Sequence, residues 1–280
     1  MRTAKPDTAK SYISTIRSIH IERGISTSIF NDPRIELVIR GGKRIYGEGI
    51  RRVRLPLTAP ILLRILPQPR ASEDDINIKA ALCVAFAAFL RCGEFTWDNW
   101  SDIHHLSFLA RQHVKFNVNN SVTLTLPLSK TDPNRVGVQI QLAPTSSPLC
   151  PVRALTELYS LFPRPYHNPL FSRTRNRPFT RQYVIQTIHR LLLQSGIPTR
   201  GFSGHSLRKG AAVTAAAAGM SKDEIKLLGR WKSDAVDVYI NELSKPDAVR
   251  KRLLLNSQLH TPTYTSLTSL APPNSSSYGL

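Results

Sequence analysis

Residues 202–240 read FSGHSLRKGAAVTAAAAGMSKDEIKLLGRWKSDAVDVYI. The stretch sets His205 and Arg208 three positions apart, then Trp231, then a lone Tyr239. Side chains three apart on a helix face the same way, so His205 and Arg208 converge on one small anion if Ser206 opens a helix. The Arg fork matches phosphate oxygens, and an imidazole donates or relays a proton near neutral pH. On HSLR alone, an ordinary helix start with a solvated Arg explains the pattern equally well. Farther on, the Ala-rich run from Ala211 to Ala218 lets neighbouring helices pack closely, and Gly219 ends it. Ser221-Lys222-Asp223-Glu224 is a capping box opening a helix that closes at Leu228-Gly229. Asp234 to Asn241 is short and carries Tyr239.

The chain has 280 residues, 41% of them apolar, enough for one large domain or two smaller ones with a real core. Lys and Arg number 38 against 19 Asp and Glu, a formal charge of +19. An excess of that size favours a polyanionic partner, nucleic acid above all. A membrane surface is the competing polyanion, but no basic amphipathic helix or lipidation motif supports it. Cys83, Cys92 and Cys150 fit neither a disulfide framework nor a zinc spacing, and the scattered His residues do not supply the missing ligands. An intracellular, metal-free protein is therefore expected. The N-terminal residues MRTAKPDTAKSYIS contain no apolar signal region, and the longest apolar run, Ala80 to Leu90, is too short to span a bilayer.

In chain order, Tyr12, Ile13, Ile16, Ile19 and Ile21 recur at roughly helical spacing between Pro6 and Gly24. A second helix is expected from Asp32 to Ile39, capped by Asp32, with Pro33 in its first turn and Gly41-Gly42 closing it. Residues 42–56, GKRIYGEGIRRVRLP, then read as a basic linker presenting Lys43, Arg44, Arg51, Arg52 and Arg54 to a nucleic-acid backbone. Thr58 caps a short helix. Residues 73–90 form the next, and its second half, KAALCVAFAAFL, is apolar nearly all round and hence buried. It runs into Arg91, with Gly93 free to turn the chain. Strands are expected at 114–116, 122–128 and 136–142, the last two joined by a hairpin loop carrying Lys130. Helices resume at 148–162 and 180–194. The loop between them, RTRNRPFTR, offers Arg173, Arg175, Arg177 and Arg181 as a phosphate-contacting stripe, with a solvated surface as the equally good bland reading. A last amphipathic helix is expected at 246–255, and residues 259–280, rich in Ser, Thr and Pro, read as a disordered tail.

Arg91 after a buried helix, Lys130 on a β-hairpin, His205-x-x-Arg208, Trp231 within GRW, and Tyr239 make an ordered set that resembles the active site of tyrosine recombinases, the phage-integrase type of DNA breaking and rejoining enzyme. The segments LSKTDPNRVGV, GHSLRKGAA and LGRWKSDAVDVYI look most like integrase-like proteins of eukaryotic mobile elements, such as the fungal Cryptons. The resemblance implies a mainly α chain with a small antiparallel β-sheet (α+β). An integrase-like catalytic domain at 56–258 would follow a truncated, helical, SAM-like core-binding domain with its basic linker at 1–55.

It also implies roles. Tyr239 would attack a scissile DNA phosphate to give a 3′-phosphotyrosyl link. Arg91 and Arg208 would bind the non-bridging oxygens, Lys130 would protonate the leaving 5′-oxygen and His205 would serve in proton transfer. Trp231 would donate its indole N–H in a place often held by His; in many members of the family the corresponding group stands one residue farther from the tyrosine. No metal or nucleotide cofactor is implied. The partners would be double-stranded DNA and, in the active form, three further copies of the chain, acting in the nucleus. Two other readings fit the same residues: an inactive or truncated DNA-binding remnant of a mobile element, and a type IB topoisomerase-like enzyme.

Overall fold

The computed structural model describes residues 6–47, 54–66, 72–97, 108–127, 132 and 136–237. The chain divides into two compact units between Arg54 and Leu55. The last amphipathic helix and the tail expected beyond residue 245 lie outside the described residues, as do Arg51 and Arg52.

The first unit is a helical pair, α1 (Pro6–Glu22) and α2 (Pro33–Tyr46). Gly24, at φ 66°, takes the left-handed conformation just past α1 that the sequence anticipates. Asp32 caps α2, accepting the Arg34 backbone N–H at 2.9 Å. The expected stop at Gly41-Gly42 is wrong: α2 runs through both glycines and ends at Gly47, φ 67°. Each interior glycine costs a helix about 1 kcal/mol relative to Ala. The contacts between α1 and α2 carry the helix through both, although neither position needs a glycine: a Cβ at Gly42 would meet Pro6 at an ordinary 3.7 Å and one at Gly41 nothing within 4 Å. Lys43 and Arg44 consequently belong to the last turn of α2 rather than to a linker, where their charge complements the helix dipole.

The second unit is built around α4 (Glu73–Ala87). Ser72 and Asp75 close a reciprocal capping box at its start, and from Ile76 to Ala85 all residues but Lys79 are buried. Such a helix must be covered on every side. It is covered by α6 (Pro151–Leu161), by α8 (Ser206–Ala217) and by the first strand of a small hairpin. Lys79, half-buried, is paired with Glu157 of α6 at 2.8 Å. α3 (Ala59–Ile65) packs against both α7 (Arg181–Gln194) and α8. The architecture is mainly helical with small antiparallel sheets.

Strands β1 (Val114–Phe116), β2 (Val122–Leu126) and β3 (Val138–Leu142) pair antiparallel in sequence order. Val122, Leu124 and Leu126 alternate into the core with the period of a half-buried strand. Lys130, on the β2–β3 connection, lies outside the described residues. Asp132 organises the far side of that connection by accepting the Gly137 N–H at 2.7 Å. The stretch expected to be a plain Arg-rich loop holds a hairpin instead, β4 (Ser172–Arg173) with β5 (Arg177–Pro178), turned by Arg175 and Asn176 at φ 63° and 58°. Strands of two residues carry no periodicity for a sequence reading to find. Cys83, Cys92 and Cys150 are buried and none is joined in a disulfide.

α8 crosses the chain entering α3 at a contact too close for a side chain. A Cβ on Gly210 would overlap the backbone of Leu57, whose N–H donates to the Ser206 carbonyl at 2.8 Å. Gly210→Ala must therefore push α8 away and is expected to cost about 2 kcal/mol or more. Gly93→Ala, at an exposed helical position with nothing within 4 Å of the added Cβ, should be neutral or slightly stabilising. Urea midpoints of the two variants beside the parent check this.

Candidate active site

α4 ends in an irregular turn, with Phe89 at φ 51° and the Leu90 N–H donating to the Ala85 carbonyl at 2.8 Å. The final carbonyls of a helix have no partner inside it. Here the carbonyls of Ala88 and Phe89 are taken up by guanidinium groups. Arg208, 3% exposed on the first turn of α8, donates Nη1–H to the Phe89 carbonyl at 2.8 Å and Nη2–H to the Gly229 carbonyl. Arg230 donates Nη1–H to the Ala88 carbonyl at 2.9 Å. The position follows from the fold: α8 crosses the end of α4, and α9 (Lys222–Gly229) delivers Gly229 and Arg230 to the same place.

Arg91 follows this turn as the N-cap of a short helix, α5 (Cys92–Phe95). Gly93 thus lies inside a helix and does not turn the chain; Phe89 makes the turn. Glu94 holds Arg91 twice: Oε2 accepts its backbone N–H at 2.8 Å and Oε1 accepts Nη1–H at 2.7 Å. Glu94 Oε2 also accepts Nη2–H of Arg230 at 2.9 Å. The carboxylate is 6% exposed, against 23% for the Arg91 side chain and 10% for that of Arg230. Arg91, Arg208 and Arg230 are thereby linked through one carboxylate and the end of α4. Burial pulls the Arg230 guanidinium down from its ordinary range, with the charge of Glu94 opposing the shift. It stays charged at any physiological pH.

His205 is the half-buried N-cap of α8, one turn before Arg208, as the spacing anticipates. The Ser203 N–H donates to Ser206 Oγ at 2.8 Å, which fixes the chain where it enters that helix. Gly204 is buried against the Arg91 segment: a Cβ there would lie 3.2 Å from Cys92 Cβ and 3.3 Å from Arg181 Nε. Its small size therefore lets the His205 loop, α5 and Arg181 meet. Trp231 lays its ring on the Arg208 guanidinium, 4.3 Å from ring centroid to Cζ, and meets Phe89 edge-on at 6.2 Å. Of the six catalytic candidates, Arg91, His205, Arg208 and Trp231 gather at this end of α4. Lys130 and Tyr239 lie outside the described residues.

The arginines of the β4–β5 hairpin are not equivalent. Arg173 is engaged locally, with Cζ 4.6 Å from the Tyr183 ring centroid and Nε 3.9 Å from Asp74. Arg175 and Arg177 are exposed. With Trp97, Thr180 and Tyr183 all three line an open cleft of about 500 Å³. Arg181 opens α7, capped by Thr180.

Two residues of the cluster escaped the sequence reading, Glu94 and Arg230. A usable signal existed for the second, because Arg230 stands one residue farther from Tyr239 than Trp231 does.

With that geometry in place, the chain can be set beside known proteins. Residues 57–245 match the sequence profile described as the phage integrase family. The crystal structure of XerA recombinase is 15% identical at a TM-score of 0.51, over 87% of this chain and 81% of that one. A Tn1549 transposon integrase fragment in complex with transposon right end DNA is 13% identical at a TM-score of 0.51, over 92% and 87% of the two chains. A lambda integrase dimer bound to a COC' core site is 19% identical at a TM-score of 0.46 over 81% of this chain, which spans only 63% of that one. At these identities the likeness is one of fold. No curated protein matches the chain.

The Trp231 ring occupies the space that a side chain on Gly229 would need. Gly229→Ala must displace the indole from Arg208 while leaving the rest of α9 in place. The near-ultraviolet circular dichroism difference between parent and Gly229→Ala is expected to match that between parent and Trp231→Phe. An unchanged spectrum would show that the ring does not rest there.

Proposed function

This chain belongs to the phage integrase family, and from that premise we propose that it is a tyrosine recombinase that breaks and rejoins duplex DNA through a covalent 3′-phosphotyrosyl intermediate. The observation that carries the reading is the linkage of Arg91 and Arg208 at the end of α4, with His205 one turn away.

In the proposed reaction the phenol oxygen of Tyr239 attacks the scissile phosphorus. A P–O bond to tyrosine forms as the P–O5′ bond breaks, and the 5′-oxygen leaves as a hydroxyl after taking a proton from Lys130. His205 accepts the phenolic proton. Rejoining runs the same steps backwards, with the 5′-hydroxyl as nucleophile. Arg91 and Arg208 bind the non-bridging oxygens, where negative charge grows most in the pentacoordinate transition state, so their attraction is greatest there. A neutral phenol is a poor nucleophile near pH 7, and concentrated positive charge around the phosphate assists its ionisation. Trp231 holds the Arg208 plane from the other face. No external energy source is needed, because the phosphotyrosyl bond conserves the energy of the broken one.

Three motifs support assigning the chain to a eukaryotic mobile element of Crypton type, with the nucleus as its place of action: LSKTDPNRVGV, GHSLRKGAA and LGRWKSDAVDVYI. On the same footing the first unit is proposed as part of a helical core-binding domain, and a tetramer on DNA as the active assembly.

A duplex nicked close to the scissile phosphate traps the intermediate, since the short 5′ fragment diffuses away. The parent should form a covalent protein–DNA adduct, resolved by denaturing electrophoresis, and Tyr239→Phe should form none. DNA binding by the parent without any adduct would make it a binding remnant. Relaxation of supercoiled DNA without strand exchange would mark a topoisomerase-like enzyme.

For every phosphate that a variant no longer neutralises, the slope of log affinity against log salt falls by about 0.9. Arg175→Gln and Arg177→Gln together should therefore reduce it by roughly 2, whereas Arg173→Gln, whose guanidinium is already held by Tyr183 and Asp74, should change it less. Equal slopes throughout would return the hairpin to plain surface.

A further inference from the structure

Arg230 takes φ 57° and ψ 42°, the left-handed conformation in which glycine is usual at a helix end and a side chain is strained. Its side chain is nine-tenths buried, and its Nε finds no hydrogen-bond partner among the described residues. Its bond to the Ala88 carbonyl serves the fold, but the strained backbone, the burial and the unpaired Nε mark it for a second role beside that one. Its neighbours indicate what. Among the described residues Glu94 is the carboxylate that joins Arg91 to Arg230, and Arg208 shares the Phe89 carbonyl with Arg230, at 2.8 Å and 3.5 Å.

The charge count follows directly. Three guanidinium groups and one carboxylate leave two positive charges. Without Arg230 the carboxylate would cancel Arg91, and the cluster would keep one positive charge. A phosphodiester carries one negative charge and its pentacoordinate phosphorane a second. Arg230 thus restores the positive charge that Glu94 would otherwise take from Arg91, and that charge attracts the doubly negative phosphorane more strongly than the singly negative ground state.

We propose that Arg230 is a positioning residue of the phosphoryl-transfer site: it neutralises and fixes Glu94, so that the carboxylate orients the Arg91 fork without consuming its charge. The inference rests on the recombinase reading for the identity of the anion, a DNA phosphodiester. The charge arrangement itself requires only that the site bind a phosphate. Arg230 here acts through Glu94 and Arg91 and does not touch the reacting atoms.

A double-mutant cycle tests it in the full chain. Arg230→Met should slow single-turnover adduct formation on the nicked duplex about 100-fold, with DNA affinity changed less than about threefold because few phosphates sense one buried charge. Adding Glu94→Gln removes the unbalanced carboxylate and should restore at least about tenfold of the lost rate, a recovery that a merely structural role for Arg230 would not give. A rate for Arg230→Met within about threefold of the parent would overturn the proposal, as would a double variant no faster than the single one. If Arg230→Met fails to fold, as judged by circular dichroism, Arg230→Gln takes its place with the same expected order. If the parent forms no adduct, the recombinase reading fails on its own, and inorganic phosphate decides the inference. The thermal stabilisation it confers should then rank parent first, the Glu94→Gln double variant second and the single Arg230 variant last. Any other ranking would overturn the assignment.

Discussion

The carbonyl groups at the end of α4 cannot be satisfied by α4 itself, and much of the second unit is arranged by how they are satisfied. A helix buried on all faces has its terminal carbonyls buried too, and a buried carbonyl without a donor costs about 1–3 kcal/mol. Arg208 from α8 and Arg230 from the end of α9 supply the donors. Those two bonds tie α8 and α9 to α4 while committing only part of each guanidinium to the backbone. The negative end of the α4 dipole faces the same groups, so two arginines can lie side by side in a poorly solvated place. Stability and charge placement are here one requirement: the bonds that close the core also concentrate the cations.

This arrangement explains which parts of the fold could be read from sequence. α4 is apolar nearly all round over KAALCVAFA, a pattern that a buried helix satisfies, and Asp32 and Ser221 are caps whose side chains accept the bonds their positions suggest, whereas Thr58 stands at its N-cap without such a side-chain bond. The His205–Arg208 pair was legible because helical spacing fixes direction. The failures have physical causes as well. Gly41 and Gly42 carry a local cost that the contacts between α1 and α2 override, and a reading by propensity has no access to those contacts. The β4–β5 hairpin is too short for periodicity. Arg230 follows a glycine in a basic segment, where a charged residue is ordinarily solvated; its burial depends on Ala88, Phe89 and Glu94, about 140 residues earlier in the chain.

Trp231 shows what an aromatic ring contributes besides the N–H donor role that its residue type suggests. Its residue type invites reading it as a hydrogen-bond donor to the phosphate. In the structure the face of its ring lies on Arg208, the ring stands perpendicular to that of Phe89, and the missing side chain of Gly229 leaves room for it. Stacking fixes the plane of a guanidinium that two backbone carbonyls already hold along one edge. An arginine restrained in this way has little freedom left to lose when an anion arrives, and reorganisation that has already occurred need not be repeated in the transition state.

The positive charges of the chain therefore fall into classes that solvent treats differently. Arg175 and Arg177 are exposed, and their attraction for a polyanion is screened over a Debye length of about 8 Å at physiological salt. Arg208 and Arg230 are buried among carbonyls and aromatic rings, where salt screens weakly and each unit of charge acts more strongly. Surface charge of the first kind can bring a polyanion to the protein, and it tolerates substitution because each contribution is small and interchangeable. Buried charge of the second kind permits no such exchange. Its amount must match the group that enters, because neither water nor ions can correct a surplus or a deficit. A cluster of this kind needs a carboxylate to hold an arginine in place, and the same carboxylate would remove the charge it positions. Placing a further arginine behind Glu94 resolves that conflict, and the strained backbone at Arg230 is the geometric means of reaching it.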